Sequence, residues 1–368
     1  MTPDELVLAG LYDPDAPDAN ERLELLQYLV EQGFDIHSLQ AADDADELLD
    51  IASDSLFQQQ RTLTCHEMAA RVGLSPDVVA RLWRSYGFPV PSLDEPLFGE
   101  SDVSVFSGFA VASAHFGLES MLQWSRVMGS GLTRVADTSI SLFVSKVASQ
   151  LEAEQASPLV SARAGAYAIR MLLGVPDLII APLFPRYVEA ARRRGGPHPE
   201  TGSFDLKRLA VGLVDLVDFT PLAAMLPPHE LAVALDDLET AASDIVTSTD
   251  TGLIVKYLGD ALLFVARDPD EACSIALELC DRVDTHEVLT ALRGGVAYGD
   301  LLSVAGDYFG PPVNLAARAA ALAPPGGVLV TAEVVEVAPR ATADAVRLGA
   351  QPIKGFSEPI ELYRLKRS

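Results

Sequence analysis

Hydrophobic positions recur at helical spacing through the first half of the chain. The segments 21–34 and 63–89 place apolar residues three or four positions apart, and a GLS turn divides the second segment. The same spacing predicts further helices at 103–118, 119–128, 136–154 and 157–174, and a last helical segment at 186–196. We therefore expect residues 1–190 to form an all-α domain, joined to the rest of the chain by a linker at 191–205.

After residue 205 the pattern changes to alternating strands and helices. The segment 206–215 predicts a strand, 229–248 a long amphipathic helix, and 252–267 two strands around a Gly-Asp turn. Further along, the pattern predicts a helix at 269–283, a strand pair at 289–307, a helix at 312–323 and short strands at 326–330, 352–356 and 360–365. The order β-α-β-β-α-β is that of a ferredoxin-like core, so we expect residues 206–368 to form an α+β domain.

The composition is that of a globular protein with an acidic surface. Hydrophobic residues make up 49% of the chain, and the formal net charge is −25. Residues 1–205 contain 14 basic and 29 acidic residues, and 206–368 contain 13 and 23. Phosphate neutralisation needs clustered Lys and Arg. Since neither half is basic, we expect no nucleic-acid partner.

The N-terminus and the cysteines predict a cytoplasmic protein. The sequence MTPDELVLAG lacks the basic flank and apolar block of a signal peptide. Cys65, Cys273 and Cys280 fit neither a disulfide framework nor a zinc pattern. Two prolines and an aspartate interrupt the most apolar stretch, 172–184. This stretch is shorter than the roughly 20 residues that span a bilayer, so we expect no membrane span.

Two aspartates lie where predicted strands run into turns. Asp215 ends the apolar run at 206–215, and Asp260 follows the glycine of the KYLGD segment. Adjacent strands of one sheet would bring both carboxylates together, and such a pair can bind Mg²⁺ while leaving positions for water and substrate phosphates. Asp is also a common turn former, and turn formation is the favoured explanation when the two positions are taken alone.

Two further pairs of residues suggest nucleotide chemistry. Lys256 offers only hydrogen-bond donors and ionised Asp307 only acceptors, which complements the N1 and 6-amino edge of adenine. Asn314 and Arg318 are four residues apart in a predicted helix and share one face, where Arg could bridge phosphate oxygens. Taken singly, these residues are better explained as surface charges, a residue near a helix cap and a solvent-facing arginine.

In order and spacing, these segments resemble the class III nucleotidyl cyclases, and specifically the adenylyl cyclase catalytic domain. The resemblance covers roughly 206–367 and rests on DLVDFT, KYLGD, GDYFGPPVNLAAR and IKGF. One departure is Asp218, which stands where the family motif has glycine. A third carboxylate there would either alter ion affinity or face away from the metals.

The resemblance implies a role for each matching position. The implied metal ligands are Asp215 and Asp260, the adenine-reading residues are Lys256 and Asp307, and the ribose and phosphate contacts are Asn314, Arg318 and Lys354. With two Mg²⁺ or Mn²⁺ ions per site, the reaction would convert ATP to cyclic AMP and pyrophosphate. The family builds each active site between two catalytic domains. One chain carries a single such domain with both sets of residues, so the resemblance implies a homodimer with two shared sites.

The first half of the chain resembles the N-terminal regulatory domain of soluble mycobacterial adenylyl cyclases that respond to pH. The resemblance implies an autoinhibitory helical domain that helps the chain to dimerise, and for relatives it suggests a fatty-acid pocket. The segment 172–184 is then either core or part of such a pocket. Histidine titrates between about pH 5 and 8, and buried carboxylates can titrate there too. The candidate histidines are His37, His66, His115 and His198.

A DNA-binding protein is the competing interpretation. The segment 63–89 could be a DNA-reading helix-turn-helix, with the C-terminal domain as a non-catalytic nucleotide sensor. Arg81 and Arg84 would then contact phosphates, but the net charge of −15 over 1–205 disfavours this function.

Overall fold

The computed structural model describes residues 1–57, 61–194 and 206–367. It divides into two units, Met1–Pro185 and Arg186–Ser368. The first unit is helical, and the second contains a mixed α/β arrangement built on one sheet. This confirms both predicted fold classes, while the exact limits of the domains and linker stay a prediction.

The helices that precede the sheet vary widely in length. They are α1 (Pro3–Leu8), α2 (Ala19–Glu31), α3 (Ile36–Asp44), α4 (Ile51–Asp54), α5 (Cys65–Val72), α6 (Pro76–Ser85), α7 (Asp102–Phe116), α8 (Leu118–Phe143), α9 (Ser149–Ala153) and α10 (Pro158–Arg194). A 3₁₀ turn, Ser55–Phe57, follows α4, and a π-helical segment, Val144–Ala148, joins α8 to α9. The predicted helix at 21–34 corresponds to α2.

The predicted helix-turn-helix at 63–89 is present as α5 and α6. The Thr64 hydroxyl accepts a hydrogen bond from the Glu67 amide, and the Glu67 carboxylate accepts one from the Thr64 amide. This reciprocal cap fixes the start of α5. Gly73 ends α5 with φ of 72°, a left-handed conformation that favours glycine. Ser75 then caps α6 through the amide of Val78.

The prediction of separate helices at 119–128 and 136–154 was wrong. Helix α8 continues through both glycines of the intervening sequence. A Cβ atom at Gly129 would lie 2.7 Å from the carbonyl oxygen of Tyr86, the residue that ends α6. Glycine is therefore needed here for close packing of the two backbones rather than for a helix break.

The prediction of two separate helices at 157–174 and 186–196 was also wrong, because α10 runs without a break from Pro158 to Arg194; residues 195–196 lie outside the described residues. Pro176, Pro182 and Pro185 lie inside it. A proline removes one backbone hydrogen bond and bends a helix, but the flanking turns can continue. Proline positions were therefore a poor guide to where this helix ends.

Helix α10 also changes the expectation about membranes. Its segment Pro158–Arg193 is long and apolar enough to cross a membrane, with a mean hydropathy of 1.6 over an 18-residue window, and only 6% of that window is buried. The expected absence of a span rested on 172–184 being a short, interrupted stretch. The continuous helix removes that reason, although length and composition of one helix are weak evidence for a span.

The second unit supplies the sheet and the helices that cover it. Its elements are β1 (Leu206–Leu216), α11 (Phe219–Met225), α12 (Pro228–Thr247), β2 (Leu253–Leu258), β3 (Ala261–Ala266), α13 (Pro269–Asp284), β4 (Leu292–Val304), β5 (Asp307–Phe309), α14 (Pro311–Leu322), β6 (Val328–Thr331), α15 (Ala332–Val337), β7 (Val346–Gln351) and β8 (Ile360–Arg364). The strand order is β2-β3-β1-β4-β6-β8-β7, with β5 paired to β4. Its β2-β3-β1-β4 part is the ferredoxin-like core.

Two strand predictions differ from the structure. The region 289–307 contains one 13-residue strand, β4, whose partner β5 comes after it. The region 352–356 holds a turn at Lys354 and Gly355 instead of a strand, and β7 precedes it at Val346–Gln351. Pro352 lacks the amide hydrogen that a strand ladder needs, and Gly355 has φ of 97°.

Alternate side chains of β1 pack on opposite faces of the sheet. Ala210 and Val214 contact the core formed with α12 and α13, whereas Leu209 and Val211 contact the core on the side of α14. Helix α14 lies directly against β4: a Cβ atom at Gly295 would be 2.1 Å from the carbonyl oxygen of Ala316. This close approach fixes the height of α14 above the sheet.

Candidate active site

The structure brings Asp215 and Asp260 together at neighbouring strand ends. Asp215 pairs with Ala261, the first residue of β3, so Asp260 in the β2–β3 turn lies directly beside it. Burial, together with the nearby negative charge of Asp215, raises the pKa of the Asp260 carboxyl above its ordinary value. We call these two residues the carboxylate pair.

Arg293 is a site residue that sequence reasoning missed. It lies opposite Asp215 in the β1–β4 ladder, and its Nη2 and Nε atoms are 2.9 and 3.3 Å from Asp215 Oδ2. Its Nη1 atom also donates to the carbonyl oxygen of Ala321, at the end of α14, at 3.4 Å. An arginine inside the apolar strand sequence LRGGVA was the available signal.

The carboxylate pair fits a divalent cation. Its oxygens are the hard ligands that Mg²⁺ and Mn²⁺ take. Burial first, and then the neighbouring charge of Asp215, raise the pKa of Asp260, and a bound cation would favour its ionised form. Within the described ranges, no three His, Cys, Asp or Glu side chains gather as a metal-binding group. Two protein carboxylates suit an ion that keeps water and substrate phosphates as its other ligands.

The structure gives a backbone reason for Asp218 at the family's glycine position. Its φ and ψ are 57° and 33°, in the left-handed region, directly before α11. Glycine adopts this conformation freely, and Asp is one of the few other residues that tolerate it. The side chain is exposed, so backbone geometry accounts for the residue without a third metal ligand.

Lys256 and Asp307 are also brought together, although they are 51 positions apart. Lys256 Nζ donates to Asp307 Oδ2, and Asp307 Oδ1 accepts a hydrogen bond of 2.8 Å from the Tyr308 amide. A bulge in β2 next to Lys256 and the short strand β5 present the two side chains. We call these two residues the Lys–Asp pair.

Asn314 and Arg318 lie exposed on one face of α14, opposite the buried Ala316 and Ala319. Asn314 is not the cap of this helix, because Gly310 occupies that position. Lys354 lies exposed in the turn between β7 and β8. Among the described residues, no hydrogen bond or ion pair joins Lys354 to another predicted site residue.

These residues form separate groups within one chain. In the part of the chain that the structure describes, no hydrogen bond or ion pair joins the carboxylate pair to the Lys–Asp pair or to the exposed face of α14. Arg293 connects Asp215 to the Ala321 carbonyl at the end of α14, but among the described residues no hydrogen bond or ion pair joins the Lys–Asp pair to either of the other two groups. Each group can bind part of a nucleotide.

Family comparisons cover almost the whole chain. The adenylate cyclase regulatory domain matches residues 3–172, and the adenylate and guanylate cyclase catalytic domain matches 205–367. An adenylate cyclase of Glutamicibacter nicotianae is 30% identical over 333 residues, covering 84% of this chain and 80% of that protein. The chain belongs to the class III adenylate cyclases.

Two mycobacterial relatives extend the similarity across both halves of this adenylate cyclase. An uncharacterized protein of Mycobacterium tuberculosis is 30% identical over 363 residues, covering 98% of this chain and 93% of the relative. A pH-sensitive adenylate cyclase of the same species is 28% identical over 371 residues, with coverage of 94% and 88%. The predicted resemblance of each half is confirmed, and membership of the family implies a nucleotide substrate and use of divalent metal ions.

Proposed function

We propose that this adenylate cyclase converts ATP to 3′,5′-cyclic AMP and pyrophosphate at two sites shared between the chains of a homodimer. The proposal rests on the absence, among the described residues, of a direct hydrogen bond or ion pair between the Lys–Asp pair and the other two groups. In a head-to-tail dimer with two-fold symmetry, the carboxylate pair of one copy would face the Lys–Asp pair and α14 of the other, and the reverse would hold at the second site.

Asp215 and Asp260 would hold two Mg²⁺ or Mn²⁺ ions. When bound, such ions neutralise phosphate charge and activate the attacking oxygen. In the structure, Asp215 accepts a hydrogen bond from the Arg293 guanidinium. This contact supports a role for Asp215 as an ionised carboxylate that binds cations. Arg293 keeps Asp215 oriented toward the same strand end as Asp260.

The Lys–Asp pair would read the adenine edge. Lys256 would donate to the ring N1, and Asp307 would accept from the 6-amino group. Guanine reverses both partners, so it would leave both groups mismatched at a desolvated edge, which is a strong basis for rejection. Their mutual ion pair in the structure supports this role, because it shows that both side chains reach the same small region.

Asn314, Arg318 and Lys354 would act on the ribose and phosphates. Asn314 would orient the ribose, whose 3′-oxygen attacks the α-phosphorus, and Arg318 would stabilise the charge on the transferring phosphoryl group. Lys354 would contact the polyphosphate. Phosphoryl transfer needs positioning and charge stabilisation more than covalent chemistry from the protein, and the exposed face of α14 can supply both across a dimer interface.

The purine preference can be tested in the full chain with Mn²⁺. We expect cyclic AMP from ATP and little cyclic GMP from GTP. Replacing Lys256 with Gln should lower kcat/KM for ATP by roughly tenfold or more. It should also lower the ratio of kcat/KM for ATP to kcat/KM for GTP, because a Gln amide can present either a donor or an acceptor to the purine. An unchanged ratio in the Lys256→Gln variant would contradict the assignment of the Lys–Asp pair.

We also propose that the helical half regulates the catalytic half through pH or a lipid. A cavity of about 350 Å³ lies between α8 and α10 and is lined by apolar side chains including Leu132, Ile169 and Leu172. Its lining suits an acyl chain, whereas Leu178 and Ile179 further along α10 are exposed rather than core residues.

The histidines leave several candidates for a pH response. His37, His66 and His115 are exposed, and His198 lies outside the described residues. Cyclase activity of the full chain and of the 206–368 fragment should be compared between about pH 5 and 8. Regulation by the helical half predicts different profiles, and parallel profiles would exclude it as the pH sensor.

A DNA-binding function is not favoured, although the helix-turn-helix is present. Arg81, one of the two arginines expected to contact phosphates, instead forms an ion pair of 2.7 Å with Glu119, and Arg71 of α5 pairs with Glu100 at 2.6 Å. These carboxylates neutralise the exposed positive charge that phosphate binding needs. The paired arginines therefore agree with the acidic composition.

A further inference from the structure

The loop between α13 and β4 holds the residues that follow Asp215. The Thr290 hydroxyl donates a hydrogen bond to the carbonyl oxygen of Val217, and the Val217 amide donates to the carbonyl oxygen of Ala291 at 2.9 Å. Val217 is two residues beyond Asp215 and directly precedes the left-handed Asp218. The position of this loop therefore fixes the end of β1, where the carboxylate pair lies.

His286 fixes the conformation of the same loop. Its Nδ1 atom accepts hydrogen bonds from the backbone amides of Val288 and Leu289 at 3.1 and 3.0 Å. Because two N–H groups point at Nδ1, the ring hydrogen must reside on Nε2. Nε2 then donates to Asp237 Oδ2 of α12 at 3.2 Å. The imidazole thus connects α12 to the turn at 286–289.

The loop is also tied to the core below the site. Leu289 is buried in the same hydrophobic cluster as Leu216 and Leu292. Leu216 and Leu292 are paired across β1 and β4, next to the pair formed by Asp215 and Arg293. A shift of the loop would therefore move Leu289 against the strand ends that carry the site.

We propose that His286 is a positioning residue for the metal-binding end of β1. By capping the amides of Val288 and Leu289, it holds Thr290 and Ala291 where they fix Val217, and so it sets the position of the Asp215 carboxylate. This inference rests on the proposed role of Asp215 as a metal ligand. Neither the family motifs nor the predicted site includes His286.

Substitution of His286 with Asn or with Gln distinguishes the effect of the hydrogen bonds that Nδ1 accepts from the effect of side-chain size. The Asn side-chain oxygen is attached at the same point as Nδ1, so His286→Asn keeps an acceptor for both amides. Gln places its amide near the former Nε2, so His286→Gln keeps the bulk and a donor for Asp237 but loses the cap. His229→Gln is the matched control, because His229 is an exposed histidine of the same unit.

The test measures hydrogen exchange at individual amides and Mn²⁺ binding in the full chain without nucleotide. In His286→Gln, we expect faster exchange at Val288, Leu289 and Val217, and Mn²⁺ affinity weakened by about tenfold, as is typical when a residue that orients a metal ligand is lost. His286→Asn should retain values close to those of the unmodified protein, and His229→Gln should change neither quantity.

Thr290→Val provides a second variant at the other end of the connection. It keeps the side-chain shape but removes the hydroxyl that donates to Val217, so we expect faster exchange at Val217 and weaker Mn²⁺ binding with Val288 and Leu289 unchanged. This variant tests the link even if a substitution at position 286 prevents folding.

Two results would overturn the inference: unchanged Val217 exchange in both His286→Gln and Thr290→Val, or an equal loss of Mn²⁺ affinity in His286→Asn and His286→Gln. The proposed function is tested separately by Asp215→Asn. If Asp215→Asn binds Mn²⁺ as tightly as the unmodified protein, the metal role of Asp215 fails, while exchange at Val217 still reports whether His286 positions this strand end.

Discussion

At the scale of single residues, burial and the neighbouring charge of Asp215 make the ionised form of Asp260 unfavourable in the folded protein, and a bound cation would offset this effect. Burial, followed by the charge of Asp215, raises the pKa of Asp260, whereas its own backbone amide and Arg293 lower it. The raised pKa means that the folded protein disfavours the ionised form of Asp260 relative to the unfolded chain. Function and stability therefore make opposite demands on this residue.

The first prediction concerns Asp260→Asn, which keeps the side-chain shape and removes the charge. The pKa of Asp260 in the folded protein is raised above its ordinary value of 3.8. At neutral pH, where the carboxyl is ionised in both states, the charge therefore destabilises the folded state relative to the unfolded chain. Asp260→Asn should therefore raise the free energy of unfolding at pH 7 without metal, and this gain should shrink as the pH falls toward 3.8.

Urea unfolding at several pH values measures this effect. Saturating Mn²⁺ is the control, because binding to the native state should stabilise the unmodified protein more than the variant. A loss of metal-free stability at pH 7 in Asp260→Asn would contradict the charge argument.

The second prediction concerns Asp218. Asp218→Gly should preserve Mn²⁺ affinity and cyclase activity, because glycine adopts the left-handed conformation without strain. Asp218→Ala should lower the free energy of unfolding by about 1 kcal/mol and leave Mn²⁺ affinity unchanged. Calorimetric Mn²⁺ titration would detect the alternative: weaker binding in both variants would identify Asp218 as a third ligand.

At the scale of elements, hydrophobic periodicity predicted those segments whose ends carry local signals. Helix α5 has its reciprocal cap at Thr64 and its glycine stop at Gly73, and β2 and β3 flank the Gly-Asp turn. The predictions failed at α8 and α10. There, glycines and prolines were taken as helix breaks. Gly129 instead allows close packing against Tyr86, which lies 43 positions earlier in the chain, and local sequence does not encode such a contact.

In the site, too, sequence motifs predicted some residues, whereas residues whose roles depend on tertiary contacts were missed. Motif spacing identified the carboxylate pair and the Lys–Asp pair, and the structure brings the members of each pair together. Arg293 and His286 were missed because their roles depend on partners in distant strands and helices. For Lys354, the sequence resemblance remains the only support, since in the described part of the chain no hydrogen bond or ion pair joins it to another site residue.

The third prediction tests the close packing of α14 on β4. Gly295→Ala would place a Cβ atom 2.1 Å from the carbonyl oxygen of Ala316, so α14 must move. We expect a loss of about 3 kcal/mol in stability and a larger loss of activity than of Mn²⁺ affinity, because Asn314 and Arg318 move with the helix.

Gly294→Ala is the matched control. Its nearest contacts are 3.2 and 3.3 Å away and are made by side-chain methyl groups of Val328 and Val214, which can shift slightly. We expect a cost of about 1 kcal/mol. Denaturant unfolding compares the two variants, and an equal cost would show that α14 does not constrain position 295 as the structure indicates.

At the scale of the whole molecule, two exposed surfaces agree with the proposed association of two copies. The exposed face of α14 carries the groups proposed for ribose and phosphate, yet within the described residues no hydrogen bond or ion pair joins Asn314 or Arg318 to the carboxylate pair. Large apolar side chains of α10, such as Leu178 and Val188, are exposed. Association of two copies would provide partners for the catalytic groups, and exposed apolar area of this kind is typical of surfaces that bind a partner or a membrane.

Complementation between inactive variants tests the shared-site homodimer most directly. Asp215→Ala and Arg318→Ala should each be inactive, and mixing and re-forming dimers should restore about a quarter of the original activity, because half the dimers are mixed and each has one intact site. The matched control mixes Asp215→Ala with Asp260→Ala, which damage the same group and should restore nothing. Cyclic AMP formation in the first mixture alone is the predicted result, and its absence from correctly formed mixed dimers would contradict the account.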